Sequence, residues 1–161
     1  MRRSLYLETS MFSRLADPSG SAKRRTTEAF LRSARLTHKL VFGAVVIEEI
    51  LETRGRLHRE AILDRMWECG AELLPLQHET DKMAKDLLAA GRWSGRRIAD
   101  MVHVAYTLLA DAEALVTWDV DDLARPRPRT IVHAYARRLG IPAPLIGTPQ
   151  EVATWLEIRI R

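Results

Sequence analysis

Short apolar runs alternate along this chain with longer segments whose apolar positions recur every three or four residues. The short runs read as buried strands, at residues 4–7, 40–42, 71–76, 114–117 and 145–146. Pro75 stops the third of them. The longer segments read as amphipathic helices over 22–37, 45–52, 57–69, 79–90 and 130–139, with a short helix opening at Met11. The clearest is the segment after Arg97, where Ile98, Val102, Ala105, Leu108 and Leu109 form one apolar stripe. Boundary residues agree with the periodicity. Thr9 or Ser10 is available to cap the first helix, and Gly91 and Gly140 stop two others. Thr148-Pro149-Gln150-Glu151 has the spacing of a capping box with proline in the first turn. The stretches 17–20 and 125–128 read as loops.

Strands alternating with helices predict an α/β fold, a three-layer α/β/α sandwich around a central parallel sheet. No repeat or linker interrupts it, so residues 1–161 read as one domain. In such sheets ligands bind in the crevice beyond the carboxyl ends of the strands. Acidic residues fall there. Glu8 directly follows the first strand, and Asp119 follows the fourth with only Trp118 between. Neighbouring first and fourth strands would bring the two together. Asp100 lies early in the helix that feeds the fourth strand. Glu48 and Glu49 follow the run Val45-Val46-Ile47, early in the helix after the second strand. Carboxylates gathered in a partly buried cleft raise one another's pKa or recruit a cation. Mg²⁺ suits such a set, because it takes oxygen ligands and needs few carboxylates. A cation there polarises phosphoryl oxygens, which is the chemistry of phosphodiester hydrolysis.

Composition narrows the picture. The apolar fraction of 47% and charged fraction of 29% are those of a globular chain. Cys69 is the only cysteine, which excludes an internal disulfide and four-thiolate zinc. The opening MRRSLYLETS has no apolar run of signal-peptide length, and no stretch is long enough to span a membrane. A cytoplasmic protein is the expectation. A net charge of +4 and a pI of about 9.6 favour a polyanionic partner.

The acidic positions sit in motifs that resemble the PIN-domain nucleases, in particular the VapC-like toxins of prokaryotic toxin–antitoxin pairs. Tyr6-Leu7-Glu8-Thr9-Ser10 is similar to the first motif, although the family usually has aspartate where this chain has Glu8. Val45-Val46-Ile47-Glu48-Glu49-Ile50 is similar to the second. Counting from Gly43, where the family often has serine, favours Glu49 over Glu48. Ile98-Ala99-Asp100-Met101-Val102-His103 resembles the third motif, and Leu115-Val116-Thr117-Trp118-Asp119 the fourth. The tail Ile146-Gly147-Thr148-Pro149-Gln150-Glu151 resembles a subgroup that ends with a Thr-Pro-x-Glu helix start. The resemblance implies an RNA-cutting enzyme using Mg²⁺ or Mn²⁺, a homodimer, and inhibition by a small antitoxin. It makes Glu8, Asp100 and Asp119 metal ligands, with Glu49 acting directly or through water.

Other residues have two readings each. Ser10 and Thr117 either orient carboxylates or serve as a cap and a strand residue. His103, one turn from Asp100, either faces the cleft or is an ordinary hydrogen-bonded helix residue. Trp118 either stacks on a base or packs in the core. Arg96, Arg97 and Arg127 either grip RNA phosphates or face water, as do Arg2, Arg3 and Arg92. An inactive RNA-binding protein and a DNA-directed nuclease of the same fold remain open alternatives.

Overall fold

The structure, a computed structural model, describes residues 3–160. Arg2 lies outside them. Five strands form one parallel sheet in the order β3-β2-β1-β4-β5. They are β1 (Ser4–Leu7), β2 (Lys39–Phe42), β3 (Glu72–Leu73), β4 (Ala114–Val116) and β5 (Leu145–Gly147). β1 is central. Tyr6 is in register with Val41 of β2 on one side and Leu115 of β4 on the other.

The pleat divides the core in two. Leu5, Leu7, Phe42 and Val116 point to one face, where they meet α1 (Thr9–Leu15), α2 (Ala22–Ala34), α4 (Arg56–Glu68) and α8 (Pro149–Trp155). Tyr6, Val41, Leu115 and Ile146 point to the other face, against α5 (Glu79–Gly91), α6 (Ile98–Leu109) and α7 (Pro126–Leu139). Both faces of β1 are covered, so its residues read as an unbroken apolar run rather than an alternation. α3 (Ala44–Glu52) follows β2 and contributes Val46 and Ile50 to the first layer and Val45 to the second.

Several boundaries differ from the sequence reading. Glu8, not Thr9 or Ser10, caps α1: its carboxylate accepts the Ser10 N–H. α2 ends at Ala34 rather than 37, because the four residues Arg35 to His38 turn the chain into β2; the His38 N–H closes that turn on the Ala34 carbonyl at 2.8 Å. The third strand is only Glu72–Leu73, an exposed edge. Residues 126–129 are the first turn of α7 rather than loop. Pro126 occupies the start of the helix, where a missing N–H costs nothing. The Thr148/Glu151 capping box and the left-handed stop at Gly140 are as the sequence predicts.

Among the described residues no helix is long and apolar enough to cross a membrane.

Candidate carboxylate site

The parallel pairing of β1 with β4 joins the ends that carry Glu8 and Asp119. The Glu8 N–H donates to the Val116 carbonyl at 3.1 Å, so the two strands exit side by side. Glu8 is 7% exposed. A buried carboxylate needs donors, and it has them on one oxygen. Its Oε2 accepts from the Ser10 N–H at 3.1 Å, the Thr117 hydroxyl at 2.8 Å and the Ser10 hydroxyl. Oε1 has no hydrogen-bond partner among the described residues.

Thr117 and Ser10 also tie the β4 exit to this carboxylate. Thr117 Oγ1 accepts the Asp119 N–H at 2.9 Å, and Ser10 Oγ accepts the Trp118 N–H at 2.8 Å. Both hydroxyls therefore orient Glu8 and the backbone that carries Asp119. Trp118 packs on the first core layer. Its indole N–H donates to Thr27 Oγ1 at 2.9 Å, and Lys23 lies over its ring.

The second acid is Glu49. Glu48, one residue earlier on α3, is exposed. Glu49 Oε1 accepts from the Thr9 hydroxyl at 2.7 Å and from His103 Nε2. His103 is fully buried, and Tyr6 OH lies 2.9 Å from its Nδ1. The Gly43 N–H donates to Tyr6 OH at 3.3 Å. A buried chain thus runs from Gly43 through Tyr6 and His103 to Glu49. Burial opposes charge on both partners, but their mutual bond prevails. The His103 pKa is raised, helped by the charges of Glu8 and Asp100, and that of Glu49 is lowered.

Gly43 has a steric role in this chain. A Cβ there would enter the Tyr106 ring, which stacks on Tyr6. Gly43→Ala is expected to destabilise the protein by about 1–3 kcal/mol through overpacking, measured by denaturant unfolding. An unchanged midpoint would show that Tyr106 has room to move.

Asp100 stands on α6 one turn before His103. Burial raises its pKa to about 6, assisted by the charge of Asp119 and opposed by a 3.3 Å bond from Arg97. Oxygens of Asp100, Asp119 and Asp122 lie within 4.8 Å of one another, as do ligand atoms of Glu8, Glu49 and His103. They are two groups: among the described residues no such set of ligand atoms joins Glu8 or Glu49 to Asp100 or Asp119, although His103 feels the charges of both Glu8 and Asp100. The four acids singled out from the sequence therefore collect at one edge of the sheet.

Sequence reasoning did not foresee Asp122, Thr9 or Tyr6, and it left His103 undecided. The i, i+3 spacing of Asp100 and His103 was the one available signal, since it puts both on one helix face. The arginines are more varied. Arg96 is exposed. Arg97 bonds Asp100 and the Asp122 carbonyl, and Arg127 donates to the Gly91 carbonyl. Arg3 pairs with Glu113 at the opposite end of the strands, away from the acids.

The donor set suits a hard divalent ion. It offers carboxylate oxygens on separate elements, and the charge of Asp119 adds to burial in raising the pKa of Asp100. The one imidazole at hand already meets Glu49 and Tyr6 through its two nitrogens. Fold and site together describe a parallel α/β protein with a carboxylate cluster at the carboxyl edge of its sheet. No protein-family model matches the chain, and no curated protein matches it in sequence.

Proposed function

We propose that the protein is a Mg²⁺-dependent ribonuclease of PIN-like type. The observation that carries this reading is the convergence of Glu8, Glu49, Asp100 and Asp119 from four separate segments onto one sheet edge, with oxygens of Asp100 and Asp119 within 4.8 Å of each other. Structural ion pairs do not require like charges to meet; a site for a cation and a phosphodiester does.

Glu8, Asp100 and Asp119 would hold Mg²⁺, or Mn²⁺ in its place, and Glu49 would complete the field directly or through water. When bound, such an ion would supply Lewis-acid stabilisation of phosphoryl charge and make a water more acidic. The chain's own contribution is positioning. Ser10 and Thr117 hold Glu8 by one oxygen and leave the other open. Thr9 and His103 do the same for Glu49 through Oε1. Arg97 restrains Asp100 from its outer side. Hydrolysis adds water across the P–O bond and releases one strand end as an alcohol and the other as a phosphate monoester.

The basic surface, pI about 9.6, supports a nucleic-acid substrate. Within this reading the chain is cytoplasmic and is the toxin of a toxin–antitoxin pair, working as a homodimer restrained by a small antitoxin.

Purified protein is expected to cut single-stranded RNA with Mg²⁺ and to stop when EDTA is added. Gel analysis of a labelled RNA reads this directly. Cleavage undiminished by EDTA would remove the metal from the reading, and faster cutting of single-stranded DNA would reassign the substrate.

A further inference from the structure

A groove of about 390 Å³ opens beside the acids, between the loop after α5 and the start of α7. Three arginines line it, Arg97, Arg125 and Arg127, with Trp93 as its floor and Asp121 as its one carboxylate. The floor is built at some cost. Arg92 adopts a left-handed conformation, φ 52°, which is strained for a residue other than glycine. That turn lays Trp93 back onto Gly91, where a Cβ would collide with the indole. Glycine is thus used one residue before the usual helix stop, and the strain falls on Arg92.

Trp93 in turn carries two guanidinium groups, that of Arg97 at 4.9 Å and that of Arg127 at 5.9 Å from the ring centre. Arg127 is also pinned to the Gly91 carbonyl at 2.8 Å through Nη2, and Arg97 to the Asp122 carbonyl. A pinned guanidinium has less conformational freedom to lose on binding an anion. The Nη1 and Nε of Arg127 and the Nη1 of Arg97 have no partners among the described residues. Arg125, at the α7 N-cap, is exposed and bonded only through Nη1, to the Asp121 carbonyl. Arg97 touches Asp100, so an anion in this groove would lie next to the carboxylate cluster.

The geometry points to this groove as the seat of a backbone phosphate of the nucleic-acid strand, adjacent to the phosphate that is cut. The assignment rests on the nuclease reading for its substrate class, but its test does not need cleavage. Binding of a short fluorescein-labelled single-stranded RNA is measured by anisotropy in EDTA, over a range of salt concentrations. The double substitution Arg125→Ala/Arg127→Ala is expected to weaken binding about tenfold and to flatten the salt dependence by about one unit of slope. Arg127→Lys, which keeps the charge and loses the fork, is expected to give a smaller loss of about threefold. Arg137→Ala/Arg138→Ala, at the far end of α7, should bind as the parent does.

Parent-like affinity and slope in the Arg125/Arg127 variant would overturn the assignment. So would displacement of the RNA by inorganic phosphate at equal phosphate concentration, which would make the ligand a free anion. A protein that binds RNA with this arginine dependence yet never cuts it keeps the groove and loses the nuclease reading. One that still cuts, and binds undiminished without these arginines, does the reverse.

Discussion

Replacing Asp100 by Asn is expected to abolish RNA cleavage, by about 10³-fold or more, while making the metal-free protein more stable. The two effects have one origin. Burial and the Asp119 charge push the Asp100 pKa from its ordinary 3.8 to about 6. A carboxyl whose folded pKa is raised binds its proton more tightly in the native state. Its favourable contribution is complete below about pH 4 and is lost as pH rises through 6. At pH 7.5 the ionised group therefore strains the metal-free fold. A rise of that size corresponds to roughly 3 kcal/mol. Asn also forfeits the charge pairing with Arg97, so the net gain is on the order of 1–3 kcal/mol.

Thermal unfolding in EDTA at pH 7.5 and pH 5 checks this. The variant should melt several degrees above the parent at the higher pH and close to it at the lower. In the parent, Mg²⁺ should raise the melting temperature more at pH 7.5 than at pH 5, because protons compete for Asp100. A variant that cuts RNA normally would remove Asp100 from the site. One that loses cutting and also loses stability at pH 7.5 would indicate a merely structural carboxylate.

The second large effect is expected at His103. His103→Leu keeps the bulk of a fully buried side chain but deletes the partner of both Glu49 and Tyr6. Leaving a buried hydroxyl and a half-buried carboxylate without that partner costs about 2–4 kcal/mol. A loosened Glu49 should also weaken Mg²⁺ binding by about 10- to 100-fold, the usual effect of removing a group that orients a ligand. His103→Gln, whose amide can still donate toward Glu49, should recover part of the Mg²⁺ affinity. Calorimetric Mg²⁺ titration of the three proteins separates the cases: destabilisation with parent-like Mg²⁺ affinity would make His103 a core residue only. The pH signature of His103 has the same sign as that of Asp100, and that of Glu49 has the opposite sign. The raised His103 pKa adds stability that is full below 6.5 and lost as pH rises through its folded value. The lowered Glu49 pKa adds stability that is full above 4.5 and lost as pH falls through its folded value. The pair is strongest between.

Local signals were enough to read the alternation of strands and helices and to put Glu8 and Asp119 at strand ends; Glu49 and Asp100 were singled out by the resemblance of their motifs. Leu5-Tyr6-Leu7 and Ala114-Leu115-Val116 are continuous apolar runs because both faces of those strands are covered; the first is followed directly by Glu8, and the second leads through Thr117 and Trp118 to Asp119. The caps at Thr148 and Gly140 follow from backbone chemistry within a few residues. What escaped the sequence depends on partners far apart in the chain. Tyr6 and His103 are 97 residues apart, and Thr9 and Glu49 are 40 apart. No local periodicity encodes those bonds. Glu8 was legible as an anion at the start of a helix, favoured by the helix dipole, but the Thr117 hydroxyl that arrives from β4 to hold its carboxylate was not. Residues 126–129 misled for a different reason. Two prolines and three arginines over 125–129 resemble a solvated loop, and only the buried Pro128 and the docking of α7 make them a helix start.

The most direct test is a crystal of the full chain soaked in Mn²⁺, with an anomalous difference map. The expected result is a peak among the carboxylates of Glu8, Asp100 and Asp119, lost in the Asp100→Asn protein. A map without a peak there at saturating Mn²⁺, or a peak held by other residues, would contradict the account.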